Sequence, residues 1–498
     1  MAELTGHLEA EAERALRGLF GRDTVYVTVW AGQLVVTALC TPILTRLLGP
    51  PRFGEIAACI AIMQVLVAIG GAGLQTGVQW RYAQPGGEVQ ARRLITLAAV
   101  IATAVALLAN ATGPWWCPRL GLGAYGGAVR LTVVWAGLTA VSNAALGLIR
   151  SRDQLGAFFL VGLLQSLVAE TLSLVFVILV APTAEAFVLG QVTAQVATVA
   201  VALSVARPAA PGRGDVATLA AGLRYSLALV PAGLAMFALQ AADRLIVQHD
   251  LGPVAVARYS VANNIGTLPI LLLGVLNGMW LPRIFAARAG PLRRLVLARS
   301  RDALYGLLAP ALIGLSAGAP VVLRVWMPPG YRPGGLALVV VTVALASFPV
   351  AGMFTSQRLL LAAGDSLSVG VYTVVGGVAN ITLNIALVPV LGIDGSALAI
   401  ALSYALLCGL FAVAARRVER LPLPGTGVLG AICLAGATAL VLTRLPAVGP
   451  WWLGARLAGA LACLVLVVVL LLRIVRPGRG ALSSSPRGGE ALSASRTA

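Results

Sequence analysis

The strongest constraint on this chain is the recurrence of apolar segments of about 20 residues, separated by short polar connections. A run of about 20 apolar residues can span the hydrocarbon core of a bilayer as an α-helix. Of the 498 residues, 59% are hydrophobic and 11% are charged, whereas a soluble domain carries about 25% charged residues. The sequence therefore predicts an all-α polytopic membrane protein.

We predict fourteen transmembrane helices. Short breaks at 181–183 and 391–395 divide two long apolar stretches into hairpins, because Gly and Pro disfavour a continuous helix there. The predicted spans are 24–46, 54–79, 93–112, 128–149, 156–181, 183–206, 219–247, 254–282, 301–322, 336–358, 366–390, 395–415, 425–443 and 453–473.

The net charge of +18 comes from 36 arginines, and the chain has no lysine. A basic chain can bind nucleic acid, but these arginines lie in short connections between apolar runs, where positive charge sets membrane orientation. The termini and the even-numbered connections hold 26 of the 36. We therefore predict a multi-pass protein of the inner (cytoplasmic) membrane with both termini in the cytoplasm and no nucleic-acid partner.

Two sequence segments recur about 203–214 residues apart. Residues 45–63 are similar to 249–265, with Leu-Gly-Pro in both, and 161–186 resemble 375–397 in layout. Transporters are often built from such repeats, so we expect two six-helix lobes around a central cavity, plus two C-terminal helices. The predicted units are a cytoplasmic amphipathic N-terminus (1–22), an N-lobe (23–207), a C-lobe (208–420), two further helices (421–475) and a disordered cytoplasmic tail (476–498).

Motifs of covalent chemistry are absent from the sequence. It has no phosphate-binding Gly-Lys loop, no zinc motif and no Ser-His-Asp set, and its two histidines, His7 and His249, cannot build a metal site between them. The longest predicted external connection, 113–128, is short for a catalytic domain. We therefore expect a protein that is not an enzyme and needs no cofactor or metal.

Amide and acidic side chains occur within the second, seventh and eighth predicted spans. Polar groups in a span are costly and usually face a cavity or another helix. Lining of a substrate cavity is one interpretation, and contact between neighbouring helices is the other. The candidate substrate-binding residues of this kind are Gln75, Gln240, Asp243, Asn263, Asn264 and Asn277.

Five arginines extend this candidate site. Arg46, Arg52, Arg244 and Arg258 lie at or within the predicted external ends of spans 1, 2, 7 and 8, and Arg81 lies at the internal end of span 2. Guanidinium groups stay charged and bind phosphate oxygens in pairs, which favours an anionic head group as ligand. Interfacial snorkelling of each arginine is the alternative interpretation.

Glu170 is the lone acid deep in an apolar run. It is a candidate site for coupling protons or cations to transport. A neutral carboxyl that bonds to a neighbour is equally compatible with the sequence.

Three prolines, Pro231, Pro269 and Pro349, fall inside predicted spans. Proline removes a backbone hydrogen bond and bends or interrupts a helix. Two interpretations of Pro269 are compatible with the sequence: a hinge that moves during gating, and a static kink.

Three stretches, 45–84, 225–285 and 375–407, carry a family resemblance. They contain an Arg-Leu-Leu-Gly…Phe-Gly start, Ala-Asp-Arg-Leu followed by Tyr-Ser, Leu-Pro-Arg-Ile-Phe, and an Asn…Leu-Asn…Gly-Ser-Ala-Leu-Ala run. The chain resembles the polysaccharide transporter (O-antigen flippase-like) branch of the multidrug/oligosaccharidyl-lipid/polysaccharide exporter superfamily. The similarity covers most of residues 20–418.

This resemblance implies alternating access around a cavity lined by spans 1, 2, 7 and 8. It implies a lipid-linked glycan on a polyprenyl diphosphate as cargo, membrane lipids as surroundings, and a glycan polymerase or glycosyltransferases as possible partners. Related lipid II flippases have an arginine-rich first span, whereas Arg22 and Arg46 here only flank that span. A cation-coupled multidrug exporter of the same superfamily and a non-transporting scaffold for glycan enzymes remain the alternatives.

Overall fold

A computed structural model describes the backbone of residues 24–210, 212, 216–286, 290–446 and 449–475. Side chains are described from Leu39 onward, apart from short stretches. The predicted amphipathic N-terminus, 1–22, and the predicted tail, 476–498, lie outside the described residues. Within the described ranges the chain forms helices joined by short connections and no β-strand.

The first half of the chain forms eight helices, and a π-helical turn, Leu164–Val168, joins the sixth to the seventh. They are α1 (Thr24–Gly71), α2 (Leu74–Tyr82), α3 (Gly87–Ala111), α4 (Gly113–Arg119), α5 (Gly127–Ser151), α6 (Leu155–Leu163), α7 (Ala169–Leu179) and α8 (Ala184–Ala206).

The second half continues with twelve helices in the described residues. They are α9 (Val216–Leu227), α10 (Val230–Gln240), α11 (Ala242–Leu251), α12 (Pro253–Gly266), α13 (Leu268–Ala286), α14 (Pro291–Trp326), α15 (Ala337–Leu345), α16 (Ser347–Ala362), α17 (Ser366–Leu391), α18 (Ile393–Val418), α19 (Thr426–Arg444) and α20 (Pro450–Val475). Two 3₁₀ turns, Pro329–Tyr331 and Pro333–Gly335, connect α14 to α15.

Twelve helical segments in the described part of the chain are long and apolar enough to cross a membrane. One of them, Leu39–Tyr82, belongs to two passages, because Gly49 breaks α1. These twelve candidate spans confirm the predicted fold class of a multi-pass, all-α membrane protein. The predicted count of fourteen, which needs an additional passage through α12 and α13, stays a prediction.

The connections of the bundle lie on two faces. The Gly-Pro face holds the Gly49 and Gly252 turns and the connections 112–126, 180–183 and 327–336. Contacts across it include a hydrogen bond of 3.0 Å from Gln248 Nε2 to the Gly121 carbonyl. The opposite face is tied by contacts such as the 2.7 Å ion pair between Arg152 and Glu88.

The repeated Leu-Gly-Pro motif has the same backbone in both copies. Gly49 has φ 67° and ψ 173°, and Gly252 has φ 79° and ψ 178°. This region is almost closed to residues with a Cβ. A Cβ on Gly54 would lie 1.9 Å from the Pro253 carbonyl oxygen, so the two copies meet with their backbones in close contact.

The three predicted proline breaks are present. Helices α10 and α13 begin at Val230 and Leu268, immediately before Pro231 and Pro269, and α16 begins at Ser347, two residues before Pro349. A proline is tolerated in the first turn of a helix, where its missing N–H is not needed.

Candidate functional site

Arg46 and Thr45, at the end of the first passage, reach the last turn of α14. Arg46 Nη2 donates to the Val325 carbonyl at 2.6 Å, and Thr45 Oγ1 donates to the Trp326 carbonyl at 2.5 Å. The final carbonyls of a helix have no partner within it. These bonds satisfy two of them and tie the first half of the chain to the second on the Gly-Pro face.

Tyr331 sits beside this contact. Its carbonyl accepts a 3.0 Å hydrogen bond from Arg258 Nε, and its ring meets Phe53 edge to face with centroids 6.3 Å apart. The Tyr331 hydroxyl is buried and has no hydrogen-bond partner among the described residues, and burial raises the pKa of this hydroxyl. We call the set Thr45, Arg46, Phe53, Arg258, Val325, Trp326 and Tyr331 the closure.

Arg52 lies outside the closure. Its exposed guanidinium donates to the Pro182 carbonyl at 2.7 Å, within the first half of the chain. Arg46 is also exposed. In this structure Arg46, Arg52 and Arg258 all donate to backbone carbonyls of the Gly-Pro face.

A buried polar network joins α11 to α12. Asp243 is 1% exposed and accepts hydrogen bonds from the Tyr259 hydroxyl and, at 2.7 Å, from the Arg244 backbone N–H. Arg244 Nη2 donates to Asn264 Oδ1 at 3.0 Å. Three of the predicted residues, Asp243, Arg244 and Asn264, therefore lie in one connected network.

The same two helices, α11 and α12, contain buried polar atoms that lack a hydrogen-bond partner among the described residues. Buried atoms without a hydrogen-bond partner include Arg244 Nε, Gln248 Oε1, Ser260 Oγ and Asn263 Oδ1. Such atoms are costly away from water. A polar ligand that reached them would recover part of that cost.

The other predicted residues are not part of this network. Gln75 is half-buried in α2, Arg81 is half-buried with its Nε unpartnered, and Gln240 is exposed at the end of α10. Asn277, in α13, accepts a 2.7 Å hydrogen bond from Arg358 Nε.

Glu170 follows the π-helical turn between α6 and α7. Its side chain is half-buried and has no hydrogen bond to any residue of the described ranges. In the preceding turn, Gln165 donates to Ser142 Oγ at 2.9 Å, and Gln195 donates to the same oxygen at 2.7 Å. π-Helical turns are frequent at functional sites, and the coupling role of Glu170 stays a prediction.

The buried position of Arg358 was not predicted from the sequence, because this arginine falls at the very end of the predicted span 336–358. Arg358 lies in α16, four residues before its end at Ala362, and is 1% exposed. The signal available in the sequence was its position inside an apolar run.

The described residues form a helical bundle with paired Gly-Pro turns and buried cations. The chain is similar to the structure of the lipid II flippase MurJ in an inward closed conformation, with a TM-score of 0.71, 12% identity, and coverage of 91% of this chain and 100% of that one. It is also similar to an inward-facing multidrug resistance MATE family transporter, with a TM-score of 0.62, 14% identity, and coverage of 83% and 96%. A third similar structure is a MOP superfamily transporter from Pyrococcus furiosus, with a TM-score of 0.55, 15% identity, and coverage of 82% and 96%.

The chain therefore has the fold of the MOP superfamily. Residues 43–327 match the model of a family described as polysaccharide biosynthesis protein, and the chain belongs to this family. No curated protein sequence matches it.

Proposed function

We propose that this protein is a flippase, not an enzyme, that moves a polyprenyl-diphosphate-linked oligosaccharide across the cytoplasmic membrane by alternating access. Its product would feed the export of a cell-surface polysaccharide. Membership of the polysaccharide biosynthesis family and the MOP fold support this proposal.

The observation that carries the proposal is the closure of one face above a buried, incompletely bonded polar network. Arg46 and Arg258 bridge elements on the Gly-Pro face. Asp243 and Arg244 lie about 13 Å below the Gly252 turn, from a rise of about 1.5 Å per helical residue. A polar site behind a seal made of hydrogen bonds is the arrangement that alternating access requires.

Arginine distribution sets the proposed orientation. The connections of the opposite face are the arginine-rich ones, so this face would be cytoplasmic together with both termini. The Gly-Pro face would then be external, and the structure would represent a state closed to the outside. In that state an anionic head group would enter from the cytoplasm while its lipid chain stays in the membrane.

A cation-coupled multidrug exporter is the second candidate, because multidrug transporters share the fold. The charge of the candidate site favours an anionic substrate, because its cations outnumber its acids. The candidate residues include five arginines, Arg46, Arg52, Arg81, Arg244 and Arg258, and two acids, Asp243 and Glu170.

A non-transporting scaffold for a glycan polymerase or glycosyltransferases is the other alternative. It predicts that tail deletions abolish function and that site variants do not.

The testing experiment is lipid extraction from a deletion strain, with mass spectrometry of polyprenyl-linked intermediates and a test of the leaflet that holds them. We expect accumulation in the cytoplasmic leaflet together with loss of a surface polymer. Normal polymer without accumulation would contradict the proposal.

A further inference from the structure

Arg358 is a buried cation whose two terminal guanidinium nitrogens lack a hydrogen-bond partner among the described residues. Its Nε donates to Asn277 Oδ1 at 2.7 Å, and its guanidinium carbon lies 4.8 Å from the centre of the Trp280 ring. Both Nη1 and Nη2 are buried, and neither has a hydrogen-bond acceptor among the residues that the structure describes. Asn277 and Trp280 therefore fix the plane of a guanidinium that presents two free donors.

A second buried arginine shows how this chain satisfies a structural guanidinium. Arg456, 5% exposed, donates through Nε, Nη1 and Nη2 to the carbonyls of Pro446, Ala317, Leu442 and Leu445. Arg358 is more deeply buried and has one hydrogen bond. A buried charge without partners is destabilising, so a purely structural role does not account for Arg358.

The position of Arg358 suits a ligand that arrives from the membrane interface. It lies four residues before the end of α16, about 6 Å along the helix axis at about 1.5 Å per residue. That end belongs to the opposite face of the bundle. Asn277 faces Arg358 through its oxygen, which leaves Nδ2 as an additional donor.

We propose that Arg358, supported by Asn277 and Trp280, binds a phosphate oxyanion between α13 and α16. Two parallel N–H groups match two oxygens of one phosphate group. The inference deepens the proposed function and rests on it for the identity of the natural ligand, the diphosphate of the lipid-linked substrate. Free phosphate species have the same chemistry and are the other source.

The test is calorimetric titration of the purified full-length protein in detergent with three probes: farnesyl diphosphate, farnesol and inorganic pyrophosphate. We expect Arg358→Gln to weaken diphosphate binding by about tenfold or more, as expected for losing charge-assisted hydrogen bonds. Arg416→Gln is the matched control, because it removes the same charge from an exposed position at the end of α18. It should bind like the wild type.

Comparison of the probes identifies the source of the phosphate. Tighter binding of farnesyl diphosphate than of pyrophosphate, with no binding of farnesol, supports a lipid-borne phosphate, whereas equal affinities support a free anion. If Arg358→Gln fails to fold, Arg358→Lys is the second variant. Lysine keeps the charge but lacks the two parallel N–H donors of the guanidinium group, so this variant should still bind diphosphate several times more weakly than the wild type.

Two results would overturn the inference: no diphosphate binding by the wild type, or unchanged affinity in a folded Arg358 variant. A third combination of results separates the two proposals. If Arg358→Gln binds diphosphate more weakly but deletion of the protein causes no accumulation of lipid-linked glycan, the phosphate site is supported and the flippase proposal is rejected. The two failures are therefore distinguishable.

Discussion

Asp243 and Arg244 are adjacent charged residues of the candidate site, and Asp243 is buried. Asp243 accepts bonds from the Tyr259 hydroxyl and the Arg244 backbone N–H. Asp243→Asn removes the negative charge beside the half-buried Arg244, and we expect the free energy of unfolding to fall by about 2 kcal/mol, because this arginine loses a nearby counter-charge. Thermal unfolding in detergent measures this change.

A double variant is the control for this prediction. Asp243→Asn combined with Arg244→Gln removes both charges and should recover part of the lost stability. Equal stability of the single variant and the wild type would show that the two charges do not interact.

Arg258 belongs to the closure and to the predicted substrate site. We expect Arg258→Ala to lower transport strongly without preventing membrane insertion, because it removes the bond to the Tyr331 carbonyl and a cation from the passage. Surface polysaccharide at matched protein level is the measurement. Unchanged polymer would count against a role for Arg258 in transport.

At this scale the sequence predicted which residues are polar but not what they contact. The carbonyls that Arg46 and Arg52 reach are 279 and 130 residues away in the chain, and no local pattern encodes such pairs. The role of Arg358 was missed for the same reason, since Asn277 is 81 residues away.

The Gly49 and Gly252 turns make a prediction at the scale of helices. Gly49→Ala and Gly252→Ala should each lower the free energy of unfolding by about 1–3 kcal/mol, because their backbone conformation excludes a Cβ. Gly370→Ala, at a helical position in α17 with open space around it, should be neutral or slightly stabilising. Similar unfolding temperatures for all three variants would contradict this account of the turns.

Glu170 and the π-helical turn before it give a second prediction at this scale. We expect Glu170→Gln to retain transport, because an amide has the shape of a neutral carboxyl. Polymer export by a complemented deletion strain checks this. A variant without activity at normal protein level would instead assign proton or cation coupling to Glu170.

Helices were more predictable than contacts, because apolar runs, glycines and prolines act locally. The proline ring favours the breaks near Pro231, Pro269 and Pro349, although Pro310 and Pro320 lie inside the continuous helix α14. The π-helical turn at Leu164–Val168 has no comparable signature in the sequence.

For the whole molecule, the multi-pass helical architecture and the superfamily fold were predictable from hydropathy and the quoted motifs. The boundaries of the lobes, 23–207 and 208–420, stay predictions. The closed state of the Gly-Pro face was not predictable, because a sequence encodes both states of a transporter.

The most direct test of alternating access is reversible locking of the closure region. A Cβ built on Gly330 lies 3.8 Å from a side-chain atom of Pro50, so the two positions are close neighbours, and we expect cysteines placed there to cross-link in a background without the six native cysteines. In vesicles loaded with lipid-linked glycan, we expect oxidation to stop translocation and reduction to restore it, while each single-cysteine variant remains active under both conditions. Continued translocation with the disulfide fully formed would contradict the proposal that opening of this face is part of the transport cycle.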